Sequence, residues 1–73
     1  MSAELLRHAA EKIRTEQEWN KDAGRITDYE YASWLAVADW LDEVAWRSEN
    51  YPKQYRAAKH AATVARAYLG DNT

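Results

Sequence analysis

The 73-residue chain contains no cysteine and no phenylalanine, and it has only two glycines and one proline. Without cysteine it cannot form disulfides, iron–sulfur clusters, cysteine-ligated zinc sites or a catalytic thiol. Long apolar runs are also missing: the longest, Trp34 to Ala38, is far shorter than the about 20 residues that a membrane-spanning helix needs. The N-terminus does not show a basic segment followed by an apolar one, which is the layout of a signal peptide. We therefore expect a cytoplasmic protein that does not span a membrane.

An excess of one sign of charge is missing as well. Ten Lys and Arg against twelve Asp and Glu give a net charge of −2, which excludes a general attraction of the whole chain to nucleic acid or to an anionic membrane. Apolar residues make up 47% and charged residues 30%, an ordinary balance for a globular protein. A chain of this length allows one domain, covering residues 1–73, and no second core.

Glycine and proline divide the chain into three segments with helical periodicity. The spacing of apolar residues predicts helices over about residues 3–22, 28–48 and 52–69. Thr27 and Glu30 have the spacing of a capping box at the start of the second helix. Pro52 suits the first position of the third helix, and Gly70 suits its end. The sequence therefore predicts an all-α fold, an antiparallel three-helix bundle.

Each predicted helix carries one apolar face. On the first helix this face gives way to Gln17 and Asn20, so we expect its C-terminal end to fray or to stop early. The face of the third helix is mostly alanine, which predicts a close approach to its neighbours. The residues expected in the core are Leu6, Ala9, Ala10, Ile13, Trp34, Val37, Ala38, Leu41, Val44, Ala45, Tyr55, Ala58, Ala61, Ala62, Ala65, Tyr68 and Leu69, with Trp40 at the edge.

The charges are sorted by helix. Residues 26–49 hold six acids against Arg47, a net charge of −5, and residues 50–73 hold four bases against Asp71, a net charge of +3. An acidic second helix beside a basic third helix predicts electrostatic complementarity within the bundle.

Nine Trp and Tyr side chains are difficult to bury completely in a chain this small. Some are therefore expected at the surface, where aromatic side chains are the usual anchors of protein interfaces. The interface could involve a partner protein or a second copy of the chain. The candidate partner-binding residues are Leu35, Asp39, Asp42, Glu43 and Trp46 on the flank of the second helix, and Trp19 on the first. The alternative for Trp46 is that its ring folds over the end of the bundle and packs on Tyr51 or Leu5.

The outer face of the third helix is basic. Its side chains are Lys53, Arg56, Lys59, His60 and Arg66. A row of cations is typical of a surface that contacts phosphates. Against this interpretation, no aromatic residue of this helix face is placed to stack on bases, and the chain is acidic overall. Binding of nucleic acid by the third helix is therefore the alternative function.

Metal binding and catalysis find little support in the sequence. Glu4, His8 and Glu11 lie close together on the first helix, but one histidine with two exposed carboxylates is a weak set of metal ligands. No phosphate-binding glycine loop and no Ser, His and Asp at a catalytic spacing are present. We expect no metal, no cofactor and no enzymatic activity.

Two segments resemble a known group of proteins. Ala36–Ala45 (AVADWLDEVA) and Ala62–Gly70 (ATVARAYLG) are similar to stretches of small uncharacterised helical proteins of actinobacteria and their phages, and Leu5–Arg14 is similar to the opening helix of these proteins. The resemblance implies a phage or prophage accessory protein that binds a host or phage protein. Together with the surface aromatics, it leads us to expect a small non-enzymatic protein-interaction module.

Overall fold

A computed structural model describes residues 3–51 and 58–70. These residues form three helices, α1 (Ala3–Asp22), α2 (Asp28–Asn50) and α3 (Ala58–Leu69), and contain no strand. The predicted all-α three-helix fold is confirmed. α2 continues two residues beyond its predicted end, and Tyr51 forms its C-cap by donating its backbone N–H to the carbonyl of Arg47. The predicted start of the third helix at Pro52 lies outside the described residues.

Side-chain contacts fix the directions of the helices. Arg7, at the start of α1, pairs with Glu49 near the end of α2, whereas Lys21, at the end of α1, lies 3.7 Å from Asp28 at the start of α2. α1 and α2 are therefore antiparallel. Tyr68, near the end of α3, contacts Trp34 in the first half of α2, so α3 is antiparallel to α2 and parallel to α1.

The core consists of the residues that the helical periodicity selects. The larger side chains that are completely buried come from α1 and α2, and they are Leu6, Ile13, Leu41 and Val44. α3 contributes only alanines to the fully enclosed region, namely Ala61, Ala62 and Ala65. Trp34, Val37 and Trp40 are half-buried and pack against the core from α2. α3 therefore approaches its neighbours through methyl groups, as its composition predicts. Tyr55, also expected in the core, lies outside the described residues.

The expectation that α1 frays after its apolar stripe is wrong. α1 remains helical to Asp22, and Gln17 is buried instead of marking the end of the packed region. Its Nε2 donates a hydrogen bond of 2.9 Å to the Tyr68 hydroxyl, and its Oε1 accepts one of 3.3 Å from Asn20. Burial raises the pKa of Tyr68, while the hydrogen bond from Gln17 lowers it and Glu16 raises it. Gln17 can therefore be buried beyond the last apolar residue of the stripe, because its amide nitrogen and its amide oxygen both have hydrogen-bond partners.

We expect Tyr68→Phe to lower the free energy of unfolding by about 1–3 kcal/mol, because the buried Gln17 amide loses the oxygen that accepts its hydrogen bond. Chemical denaturation followed by circular dichroism measures this change. The control is the double variant Tyr68→Phe with Gln17→Leu, which removes both polar partners at similar volume and is expected to recover much of the loss. Equal stability of the wild type and Tyr68→Phe would show that this hydrogen bond does not stabilise the fold.

The predicted helix boundaries are confirmed at the turn between α1 and α2. Thr27 accepts a hydrogen bond of 3.1 Å from the backbone N–H of Glu30, and the Glu30 carboxylate accepts one of 3.2 Å from the backbone N–H of Thr27. Gly24, just after α1, has a φ of 73°, a conformation that favours glycine. Gly70 has a φ of 75° and ends α3 in the same way.

In the described part of the chain, the charges do not pair as the sequence predicts. An acidic α2 is expected to complement the basic α3, but the described ion pairs between helices join α2 to α1. Lys53 and Arg56, two of the four bases behind this prediction, lie outside the described residues. Arg14 lies 2.8 Å from Asp39 and 2.7 Å from Asp42, and Arg7 pairs with Glu49. Residues 1–25 carry five basic and five acidic side chains, so their total charge does not indicate this pairing. The pairing depends on the positions of Arg7 and Arg14, which lie on the side of α1 that faces α2.

Candidate functional site

The acidic flank of α2 is largely neutralised. Arg14 donates a hydrogen bond to Asp39 and lies between this carboxylate and that of Asp42; these contacts raise the pKa of Arg14. Glu43 accepts hydrogen bonds of 3.1 Å and 2.9 Å from the guanidinium of Arg47, one turn later on α2. A partner approaching this flank therefore meets carboxylates that already have arginine partners, and not a free acidic stripe.

Trp46 and Tyr51 form an aromatic pair at the C-terminal end of α2. Their ring centroids are 5.9 Å apart and the ring planes are inclined by 64°, an edge-to-face arrangement. Both side chains stay half-exposed, Trp46 at 52% and Tyr51 at 51%. The contact with Tyr51 that the sequence suggested for Trp46 is therefore present, but it does not bury the indole.

Leu35 and Trp19, which belong to the same predicted partner surface, lie further from Trp46 than Asp42 and Glu43, which lie about one turn away on α2. Leu35 is half-buried and precedes Trp46 by eleven residues, which places it about 16 Å along the helix axis. Trp19 is 59% exposed and lies beside the turn between α1 and α2, where the Arg25 guanidinium stacks over its ring at 4.1 Å. Trp46 lies near the opposite end of α2. The structure thus divides the predicted site into two separate aromatic surfaces, one around Trp46 and one around Trp19.

The basic residues of α3 are also divided. Lys59 and Arg66 are exposed and line a shallow groove of about 270 Å³ together with Ala58, Ala62 and Thr63. His60 is exposed but does not line this groove. Lys53 and Arg56, which complete the predicted basic face, lie outside the described residues.

A second groove, which the sequence did not indicate, runs between α2 and α3. It has a volume of about 450 Å³ and is lined by Trp34, Val64, Ala67 and Tyr68. The rings of Trp34 and Tyr68 meet edge to face with centroids 5.2 Å apart. Helical spacing placed both aromatics on the core side but gave no information about the separation of the two helices, so the groove could not be predicted.

In residues 3–51 and 58–70, no three or more His, Asp or Glu side chains are grouped so that they could hold a metal ion. None of the three described helices combines the length and the apolar character needed to cross a bilayer.

Comparison of the chain with protein-family models, with curated proteins and with solved structures gave no match. The resemblance to small proteins of actinobacteria and their phages therefore stays a prediction from the sequence.

Proposed function

We propose that this chain is a small non-enzymatic protein-interaction module that binds a partner protein through Trp46 and Tyr51. The observation that carries the proposal is this pair of half-exposed aromatic rings, in contact with each other and outside the core. Trp and Tyr are enriched among the residues that supply most of the binding energy of protein interfaces. The resemblance stated above favours a host or phage protein as the partner, and self-association through the same rings is the other form of this function.

The surroundings of the pair support this function. Contact between two rings limits the number of orientations that each can adopt, so binding costs less conformational entropy than it would for two independent side chains. Glu43, which precedes Trp46 by three residues, is held by Arg47. The charged groups next to the rings are thus already paired, and a partner does not have to bury an isolated charge to reach them.

We expect Trp46→Ala to weaken partner binding by about 2 kcal/mol or more, which is roughly 30-fold in Kd. The matched control is Tyr29→Ala, which removes an aromatic ring that is 86% exposed on the same helix and lies outside the proposed surface. Binding is measured by capture of a partner from bacterial lysate on immobilised protein, followed by titration of the purified partner. Light scattering at micromolar concentration measures self-association of the same variants.

The expected outcome is a partner, or a dimer, that the wild type and Tyr29→Ala retain and Trp46→Ala loses. Equal retention by Trp46→Ala and the wild type would refute the proposed surface. Because the indole is half-exposed, Trp46→Ala is also expected to destabilise the fold clearly less than truncation of a fully buried side chain. If instead it unfolds the domain, the ring belongs to the core and the proposal is wrong.

A further inference from the structure

The sides of α1 and α3 that are turned away from α2 form one outer face of the bundle. On α1, Arg14 lies on the side that faces α2, because it pairs with carboxylates of α2. Lys12 and Trp19 lie about 140–160° around the helix from Arg14, on the side turned away from α2. On α3, Tyr68 lies on the side that faces α2, because it contacts Trp34. Lys59 and Arg66 lie about 160–180° around the helix from Tyr68, on the side turned away from α2. We call the surface that carries Lys12, Trp19, Lys59 and Arg66 the α1–α3 face.

The hydrogen bond between Gln17 and Tyr68 sets the register of the two parallel helices. Lys12 precedes Gln17 by five residues and Thr63 precedes Tyr68 by five, so Lys12 lies level with Thr63, between Lys59 and Arg66. By the same register, Trp19 lies about 6 Å further along the bundle axis than Arg66. Three cations and an exposed indole thus follow one another along a single face.

The cations of this face have no acidic partners within the described structure. Lys12, Lys59 and Arg66 form no ion pair with any residue of 3–51 and 58–70, in contrast to Arg7, Arg14 and Arg47. On this side of α1, the acids Glu4, Glu16 and Asp22 each lie about 60° around the helix from Trp19. Glu16 interacts with Tyr68. The positive charge of the face is therefore concentrated on α3, because residues 58–70 contain Lys59 and Arg66 and no Asp or Glu, although the chain carries a net charge of −2.

The aromatic residue that was missing from the basic face of α3 is supplied by α1. Trp19 remains 59% exposed even though the Arg25 guanidinium lies over one side of its ring. The Arg25 side chain also adds a further cation beside the indole. Between Lys59 and Arg66, the groove of about 270 Å³ has an alanine floor and the Thr63 side chain at its edge.

We propose that the α1–α3 face binds single-stranded nucleic acid, with Lys12, Lys59 and Arg66 contacting phosphates and Trp19 stacking on a base. Single-strand binding surfaces combine cations that follow the backbone with aromatic rings on which bases stack, and both elements are present here. A single strand is favoured over a duplex because a double-helix reader inserts a helix end into the major groove, whereas these side chains lie along the length of two adjacent helices. This proposal does not depend on the function assigned to Trp46 and Tyr51.

The test is fluorescence anisotropy with a labelled oligodeoxythymidine of about 12 nucleotides, a length within the usual range of single-strand sites. Contact with three phosphates predicts a slope of about −2 for the logarithm of affinity against the logarithm of salt concentration between about 50 and 200 mM salt. Lys59→Glu with Arg66→Glu is expected to weaken binding at least about tenfold and to reduce this slope by about 1–1.5. Trp19→Ala is expected to weaken binding about tenfold, and Trp19→Phe to restore most of it.

Two controls keep the effects of charge and of stacking separate. Arg47→Glu changes the net charge as much as Arg66→Glu but lies on α2, and Tyr29→Ala removes an exposed aromatic residue outside the α1–α3 face; both are expected to leave the affinity unchanged. Circular dichroism confirms that each variant is folded. The proposal is overturned if the wild type does not bind the oligonucleotide at low salt. It is also overturned if Arg66→Glu and Arg47→Glu lose affinity for the oligonucleotide equally.

Two further measurements identify the other occupants of a basic surface. Cosedimentation with phosphatidylserine vesicles, without oligonucleotide binding, would assign the face to membranes and overturn the proposal. Salt-sensitive self-association that Lys59→Glu with Arg66→Glu abolishes, again without oligonucleotide binding, would assign it to the acidic surface of a second copy. If Trp19→Ala loses oligonucleotide binding but still captures the partner protein, the result supports nucleic-acid binding by the α1–α3 face. It does not affect the function proposed for Trp46.

Discussion

Leu41→Ala is expected to lower the free energy of unfolding by about 2–5 kcal/mol, because truncation of a buried leucine removes apolar contacts and leaves a cavity. Leu41 is completely buried near the centre of α2. A core of this size supplies about 3–5 kcal/mol in total, so this single change is expected to leave much of the protein unfolded at 25 °C. Thermal and urea denaturation followed by circular dichroism measure the effect.

The matched control is Leu35→Ala, which makes the same chemical change on the same helix at a half-buried position. Since less of the Leu35 side chain is removed from water, its truncation is expected to cost clearly less. Equal losses for the two variants would contradict the placement of the core on the Leu41 side of α2. The two variants also provide a scale for Trp46→Ala. Its decrease in the free energy of unfolding is expected to be closer to that of Leu35→Ala than to that of Leu41→Ala.

Ala65→Leu is expected to destabilise the bundle by about 1–3 kcal/mol, because α3 lies so close to its neighbours that a larger side chain does not fit. The Ala65 side chain is completely buried, and the larger core residues Leu6, Ile13, Leu41 and Val44 come from the other two helices. Adding three carbon atoms on α3 must displace either that helix or these residues. The midpoint and the slope of urea denaturation separate a loss of stability from a change in the compactness of the folded state.

Ala67→Leu is the control for this second experiment. Ala67 is exposed on the same helix at the edge of the groove between α2 and α3, so the same enlargement there is expected to change stability by no more than about 0.5 kcal/mol. If Ala65→Leu were as stable as Ala67→Leu, α3 would be packed more loosely than its buried alanines indicate. Such loose packing would also widen the groove that Trp34 and Tyr68 line.

The two proposed surfaces assign different roles to two tryptophans that appear similar in the sequence. Trp46 contacts another aromatic ring and lies among carboxylates that already have arginine partners, conditions that suit contact with a protein. Trp19 contacts an arginine and lies on the face of Lys12, Lys59 and Arg66, which form no ion pair within residues 3–51 and 58–70; these conditions suit contact with phosphates and bases. Trp46 belongs to α2, whereas the α1–α3 face is formed by the other two helices, so variants of one surface can be examined without changing the other.

Local patterns in the sequence were sufficient to predict the helices and most of the core. Apolar residues three and four positions apart select one side of a helix wherever it packs, so Leu6, Ile13, Leu41 and Ala65 could be placed without a structure. The capping box of Thr27 and Glu30 and the glycine that ends α3 depend only on neighbouring residues. The exposure of part of the Trp and Tyr set follows from the small size of the chain.

The sequence by itself thus determined the three helices, the turn between α1 and α2 and the core faces, because these depend on contacts between residues a few positions apart. The excess of aromatic residues follows from composition alone. The tertiary structure decided which charged and polar groups meet across helices. Arg14 pairs with Asp39 and Asp42, and Gln17 is buried against Tyr68. Each of these contacts depends on the order and the relative rotation of three helices. A periodic pattern along one helix does not contain that information, since the same apolar face can pack against either neighbour.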